Sequence, residues 1–201
     1  RGGRSLSQGK INLPNRLTLG RIAAVPIFLL LLLLNFPFHY FAALAVFVAA
    51  SLTDLFDGKI ARSRGLITDF GKFLDPIADK MLTTAAFLGF MSLGIGFGTV
   101  WITLIILMRE FSVSSIRMIA AASGKVVAAD KWGKIKTVMQ MVGIIMALAF
   151  EGFIAVIPWP ALVSDILRIF YNIVLWTSAV LTVFSGVNYL VKNKAFVDPN
   201  K

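Results

Sequence analysis

Between Ser51 and Lys80 the chain reads SLTDLFDGKIARSRGLITDFGKFLDPIADK, a stretch that holds five of the ten acidic residues of the protein. Asp54 and Asp57 are three apart, Asp75 and Asp79 four apart, so on helices each pair shares one face. If the two helices are antiparallel neighbours joined by a short loop, four carboxylates converge at one depth. Anions packed together repel and need counter-charge. Two divalent cations supply it, because carboxylate oxygens are hard ligands that suit Mg²⁺ or Mn²⁺, and a carboxylate-bridged pair of ions is a device for phosphate chemistry. The spacer residues agree: Gly58 and Gly71 remove side chains where a ligand would approach the backbone, Ala61 keeps that face low, and Arg62 can pair with phosphate. Asp69 reads as an ordinary solvated charge.

A second set of chemistry-bearing residues lies in MREFSVSSIRMIAAASGKVVAADKWGKIKTVMQ, Met108 to Gln140. Arg109 and Arg117 occupy one helix end, and Lys134 and Lys136 begin the next. They read either as anchors to anionic lipid or as an anion site that clamps an incoming phosphate.

The elements that must position these groups follow from the composition. Of 201 residues, 58% are hydrophobic and 15% charged, where a soluble domain is nearer a quarter charged. Uncharged runs from Ile22 to Thr53, Met81 to Met108 and Ile169 to Val191 are long enough to cross a bilayer. The first is split by the turn signal NFPFH at Asn35 to His39. A chain this apolar must satisfy its backbone internally. The expected fold is an all-α integral membrane protein with six transmembrane helices, Pro14–Leu34, Tyr40–Arg62, Gly71–Leu93, Thr99–Ser123, Gly133–Val156 and Asp165–Lys192. Asn12 to Thr18 is expected to form a short interfacial segment before the first span. The expected organisation is a flexible start over 1–11, a single domain over 12–194 and a tail over 195–201. No cleavable signal peptide is expected.

The net charge of +10 could suit nucleic acid, but its placement points to a bilayer. Basic residues gather before the first span, around the second and fourth connections and after the last span, whereas the connections near Asn35–His39, Gly94–Gly98 and Ile157–Pro160 hold almost none. By the positive-inside rule both termini and the carboxylates face the cytoplasm. Arg168 dissents. There are no cysteines, so disulfides and thiolate metal sites are excluded, and the single histidine, His39, reads as an interfacial polar residue.

Carboxylates in a membrane also mark ion or proton pathways, and a cation transporter would use the same aspartates. A pathway, however, needs polar groups through the full depth, and the outer halves of these helices are almost wholly apolar. A non-catalytic scaffold leaves the spacing of the acids unexplained.

The run Asp54-x-x-Asp57-Gly58-x-x-Ala61-Arg62, then eight residues, then Gly71-x-x-x-Asp75-x-x-x-Asp79, resembles the signature of the CDP-alcohol phosphotransferase family at all eight fixed positions. The resemblance implies a six-helix, dimeric membrane enzyme that displaces CMP from a CDP-linked donor with an alcohol. It implies that Asp54, Asp57, Asp75 and Asp79 hold two divalent ions, that Gly58, Ala61, Arg62 and Gly71 shape the CDP pocket, and that Asp79 serves as general base beside Asp75. NLPNRLTLGRIAAVPIF and the later RE, GKIKT and Q pattern are similar to the branch whose donor is CDP-diacylglycerol and whose acceptor is sn-glycerol 3-phosphate, a similarity covering Asn12 to Gln140. Asn15, Thr18 and Arg21 match the opening of that branch, which implies that they line the nucleotide side of the pocket, an interfacial anchoring role being the alternative; on the anion-site reading Arg109, Arg117, Lys134 and Lys136 receive the acceptor phosphate. An acceptor with its own phosphate needs such a cluster; choline or ethanolamine does not. Inositol phosphate, serine and phosphatidylglycerol are the other acceptors within the same chemistry.

Overall fold

The structure is a computed structural model. It describes residues 13–64, 69–122 and 131–193, with side chains described for 18–53, 77, 78, 80–121 and 131–193. These residues form six helices: α1 (Leu13–Leu33), α2 (His39–Arg64), α3 (Asp69–Leu93), α4 (Thr99–Ala122), α5 (Lys131–Val156) and α6 (Ala161–Lys192). The expected termini 1–11 and 195–201, and the expected end of α4 at Ser123, lie outside the described residues.

The order and number of helices match the expectation, and the differences are local. Leu13 to Thr18 is the opening of α1 and not a separate element. Pro26 sits inside α1, where it cannot donate to the carbonyl one turn back, a loss that membrane helices tolerate. Helix α6 starts at Ala161, four residues before the expected Asp165, because Pro160 at the N-cap presets the backbone for a helical turn.

Three helices, α4, α5 and α6, are long and apolar enough to cross a membrane over their described lengths. Thr18–Leu33, His39–Thr53 and Lys80–Leu93 are shorter apolar stretches of α1, α2 and α3. Large side chains such as Trp101, Phe111, Leu162, Ile169 and Val180 are exposed along the bundle. Apolar exposure of that extent marks a lipid-facing surface, and the protein is a multi-pass membrane protein.

The core runs through the bundle as Phe28, Leu32, Phe47, Phe87, Phe90, Ile102, Ile144, Leu148 and Leu175. Helix α1 packs on both α2 and α3, and α6 packs on α4 and α5. Glycines set the closest approaches: a Cβ at Gly89 would fall 2.5 Å from Leu32 Cδ2, and one at Gly143 would fall 2.8 Å from Leu175 Cδ2. Several buried hydroxyls bond within their own helix, as where Thr182 donates to the Ser178 carbonyl (2.7 Å). Gln140 then donates to Thr182 Oγ1 (3.2 Å) and ties α5 to α6.

The α3–α4 turn contains Gly94, Gly96 and Gly98, all left-handed, with φ of 67°, 82° and 69°. It is stitched to α6: the Phe97 amide donates to Asn172 Oδ1 (2.7 Å), Trp176 Nε1 donates to the Phe97 carbonyl (3.0 Å), and Gly98 lies against the Trp176 ring. His39 has a structural task in the α1–α2 turn, where Nδ1 lies 3.0 Å from the Leu32 carbonyl and the ring sits on Tyr40 (centroids 3.9 Å apart).

Candidate functional site

Asp54, Asp57, Gly58, Ala61 and Arg62 ride on the last three turns of α2, and Gly71, Asp75 and Asp79 on the first three turns of α3. The two helix ends are separated by 65–68, so Arg64 and Asp69 are no more than about 19 Å apart along the chain. The side chains of these residues, and of Asn15, lie outside the described residues. Along their lengths both α2 and α3 pack on α1 and on α5.

What is described nearby is buried and polar. Thr18 and Arg21 of α1 are 2% and 4% exposed. A residue that anchors a helix at an interface keeps its polar head in contact with its surroundings, and these two do not. Ser51, one turn before Asp54, is also buried, and its Oγ has no hydrogen-bond partner among the described residues.

The basic residues are organised by a group that the sequence reading left without a role, Glu110. Lys136 of α5 donates to Glu110 Oε1, and Arg109 Nη1 donates to the same oxygen (3.2 Å). Lys80 of α3, one residue past Asp79, lies 3.4 Å from Glu110 Oε2 and donates to Ser114 Oγ. One carboxylate thus meets three cations where α3, α4 and α5 come together. The side chains of Lys136, Arg109 and Glu110 are only 5%, 11% and 16% exposed, in surroundings that screen charge weakly.

Arg109 reaches this junction through space left by two glycines. A Cβ at Gly133 would lie 3.1 Å from Arg109 Nη2, and one at Gly186 would lie 3.0 Å from its Cγ. The guanidinium is fixed further by Nη2 donating to Ser185 Oγ of α6 (2.9 Å). Arg117, two turns on, is exposed, with Nε 3.4 Å from the hydroxyl of buried Tyr189 and its guanidinium 5.7 Å from that ring's centroid. Lys134 is exposed, whereas Lys136, two residues later on the opposite side of α5, is buried. The four predicted basic residues therefore fall into two kinds: Arg109 and Lys136 are held against Glu110, and Arg117 and Lys134 are exposed. A signal for Glu110 was available, since an ionisable residue inside an apolar helix is a functional candidate by default.

At the other end of the bundle, Arg168 Nε and Nη2 donate to Glu151 Oε1 and Oε2 (3.1 and 3.4 Å), and the Tyr171 hydroxyl donates to Oε1 (2.8 Å). Arg168, the exception to the charge map, is neutralised in place.

Comparisons with known proteins agree with this architecture. The family model for CDP-alcohol phosphatidyltransferase matches residues 11–184. A CDP-diacylglycerol–glycerol-3-phosphate 3-phosphatidyltransferase of Bacillus subtilis is 37% identical over 194 residues, covering 90% of this chain and 95% of the relative. The enzyme of the same name from Rickettsia bellii is 38% identical over 188 residues, covering 92% and 97%. The crystal structure of apo phosphatidylinositol phosphate synthase from Mycobacterium tuberculosis superposes with a TM-score of 0.56 at 27% identity, covering 87% of this chain and 86% of that one.

Proposed function

Since the chain belongs to the CDP-alcohol phosphatidyltransferase family, we propose that it transfers the phosphatidyl group of CDP-diacylglycerol to sn-glycerol 3-phosphate, giving phosphatidylglycerol phosphate and CMP. The observation that carries the choice of acceptor is the gathering of three cations, Lys80, Arg109 and Lys136, at one junction of the bundle, with Arg117 exposed two turns along α4. A phosphate monoester carries close to two negative charges at neutral pH; serine carries none in excess. The names of the Bacillus and Rickettsia relatives support the same acceptor.

In this reading Arg109, Arg117, Lys134 and Lys136 receive the acceptor phosphate. Asp79 takes the proton from the 1-hydroxyl, which then attacks the lipid-side phosphorus while CMP departs. Asp54, Asp57, Asp75 and Asp79 form a hard-oxygen donor set that would hold Mg²⁺ or Mn²⁺, and a bound ion pair neutralises pyrophosphate charge. Gly58, Ala61, Arg62 and Gly71 leave room for the cytidine diphosphate, with Asn15, Thr18 and Arg21 on the nucleotide side; the burial of Thr18 and Arg21 supports that position over an anchoring one. The concentration of Lys and Arg at one end supports a cytoplasmic active site and cytoplasmic termini in the cell membrane. The protein works as a homodimer.

Purified protein in detergent, given CDP-diacylglycerol, Mg²⁺ or Mn²⁺ and each candidate alcohol in turn, is expected to release CMP with glycerol 3-phosphate. Release with inositol phosphate, serine or phosphatidylglycerol instead would reassign the acceptor. Metal flux into sealed vesicles without nucleotide would favour a transporter.

A further inference from the structure

We infer that Ser185 and Gly186 of α6, with Gly133 of α5, are positioning residues that fix Arg109 for the acceptor phosphate. This deepens the proposed function and rests on its placing of Arg109 in the acceptor site. Both α6 residues lie past Gln140, where the motif similarity ends, and past residue 184, where the family match ends. Arg109 is held at both ends of its side chain. At the tip, Nη2 donates to Ser185 Oγ (2.9 Å) and Nη1 to Glu110 Oε1 (3.2 Å), so the plane of the guanidinium is set by one acceptor on α6 and one on its own helix. At the root, a Cβ on Gly186 would lie 3.0 Å from Arg109 Cγ, and beside the tip a Cβ on Gly133 would lie 3.1 Å from Nη2. The side chain thus fills space that two absent methyl groups leave. Trp132 and Phe184, the neighbours of Gly133 and Ser185 in the chain, pack edge to face (centroids 4.9 Å apart) and hold α5 against α6 beside the slot.

The alternative role for Ser185 is a bolt that ties α4 to α6 and nothing more. An arginine serves poorly as a bolt here, because its Nε is buried with no hydrogen-bond partner among the described residues, and an unmet buried donor costs stability. A planar fork held in one orientation is instead what phosphate recognition by arginine requires. The two roles differ in what they predict. If Ser185 is a bolt, removing its hydroxyl loosens the fold and leaves the affinity for the acceptor alone. If it positions Arg109, the loss spreads the guanidinium over several orientations and weakens phosphate binding, and it does so only while Arg109 is present.

The test uses wild type, Ser185→Ala, Gly186→Ala, Arg109→Met and the double variant of Ser185→Ala with Arg109→Met, purified in detergent. Each is assayed for CMP release over a range of glycerol 3-phosphate and of CDP-diacylglycerol, and titrated calorimetrically with inorganic phosphate without donor. Ser185→Ala and Gly186→Ala are each expected to raise the KM for glycerol 3-phosphate, and to weaken phosphate binding, about threefold to tenfold, the worth of one hydrogen bond, with the KM for CDP-diacylglycerol unchanged. Arg109→Met is expected to exceed both, and adding Ser185→Ala to it to change nothing further. Unaltered KM and phosphate affinity in Ser185→Ala, or in a folded Gly186→Ala, overturns the proposal. So does an equal loss from Ser185→Ala with and without Arg109. Should Gly186→Ala fail to fold, the Ser185 variants decide alone. Arg109→Met with wild-type KM and phosphate affinity removes Arg109 from the acceptor site, and the proposal with it. Wild type that releases no CMP with glycerol 3-phosphate sinks the functional reading instead, and the phosphate affinities then decide the positioning by the same pattern.

Discussion

The glutamates at the two ends of this bundle, Glu151 buried and Glu110 partly buried, do different things with the same chemistry. At one end Glu151 accepts from Arg168 and Tyr171, one anion against one cation and a hydroxyl, and nothing is left over. At the other, Glu110 gathers Lys80 of α3, Arg109 of its own helix and Lys136 of α5. The first cluster bolts α5 to α6, and the second draws cations from three helices to the end that carries the aspartate motif. The balance also explains why Arg168 can sit on the side the charge map leaves nearly empty: paired with a carboxylate, it adds no net charge there.

Mutations at the two ends should therefore fail differently. The largest effect is expected for Asp57→Asn or Asp75→Asn, which should lower CMP release by about a thousandfold or more, the scale of losing an electrostatic group from a transition state. Retained turnover in either variant would end the metal assignment. Next, Arg117→Ala and Lys134→Ala should each raise the KM for glycerol 3-phosphate about tenfold to thirtyfold, the worth of a charge-assisted hydrogen bond, with the KM for CDP-diacylglycerol unchanged. An unaltered KM would return both residues to lipid anchoring. At the bolted end, Glu151→Gln should lower stability in detergent by about 1–2 kcal/mol, while the surviving enzyme keeps both KM values. A selective loss of acceptor affinity there would dissolve the distinction between the ends. The smallest effect is expected for Tyr171→Phe, which removes one hydrogen bond to Glu151 and should cost about 0.6 kcal/mol in the same unfolding measurement.

The helical frame was legible because its punctuation is local. Asn35 to His39 and the glycines from Gly94 to Gly98 are turn signals readable over five residues, and the structure turns at both. Asp165 misled for an equally local reason: it looks like a helix start, but Pro160 had already begun α6. The spacing of Asp54, Asp57, Asp75 and Asp79 was readable as chemistry without any coordinates, and their side chains lie outside the described residues. The role of Glu110 was not readable. Its partners arrive from α3 and α5, and the serine that steadies Arg109 comes from α6, 76 residues away. Spacing puts Lys134 and Lys136 on opposite sides of α5, but does not say which side is the buried one.

The seam between the glycine turn and α6 has a mechanical corollary. Asn172 and Trp176 clasp both hydrogen-bonding groups of Phe97, so α3, α4 and α6 share a joint at that rim. The rim that carries the aspartate motif lies at the other end of α3, so this clasp stiffens the bundle at the end away from the chemistry.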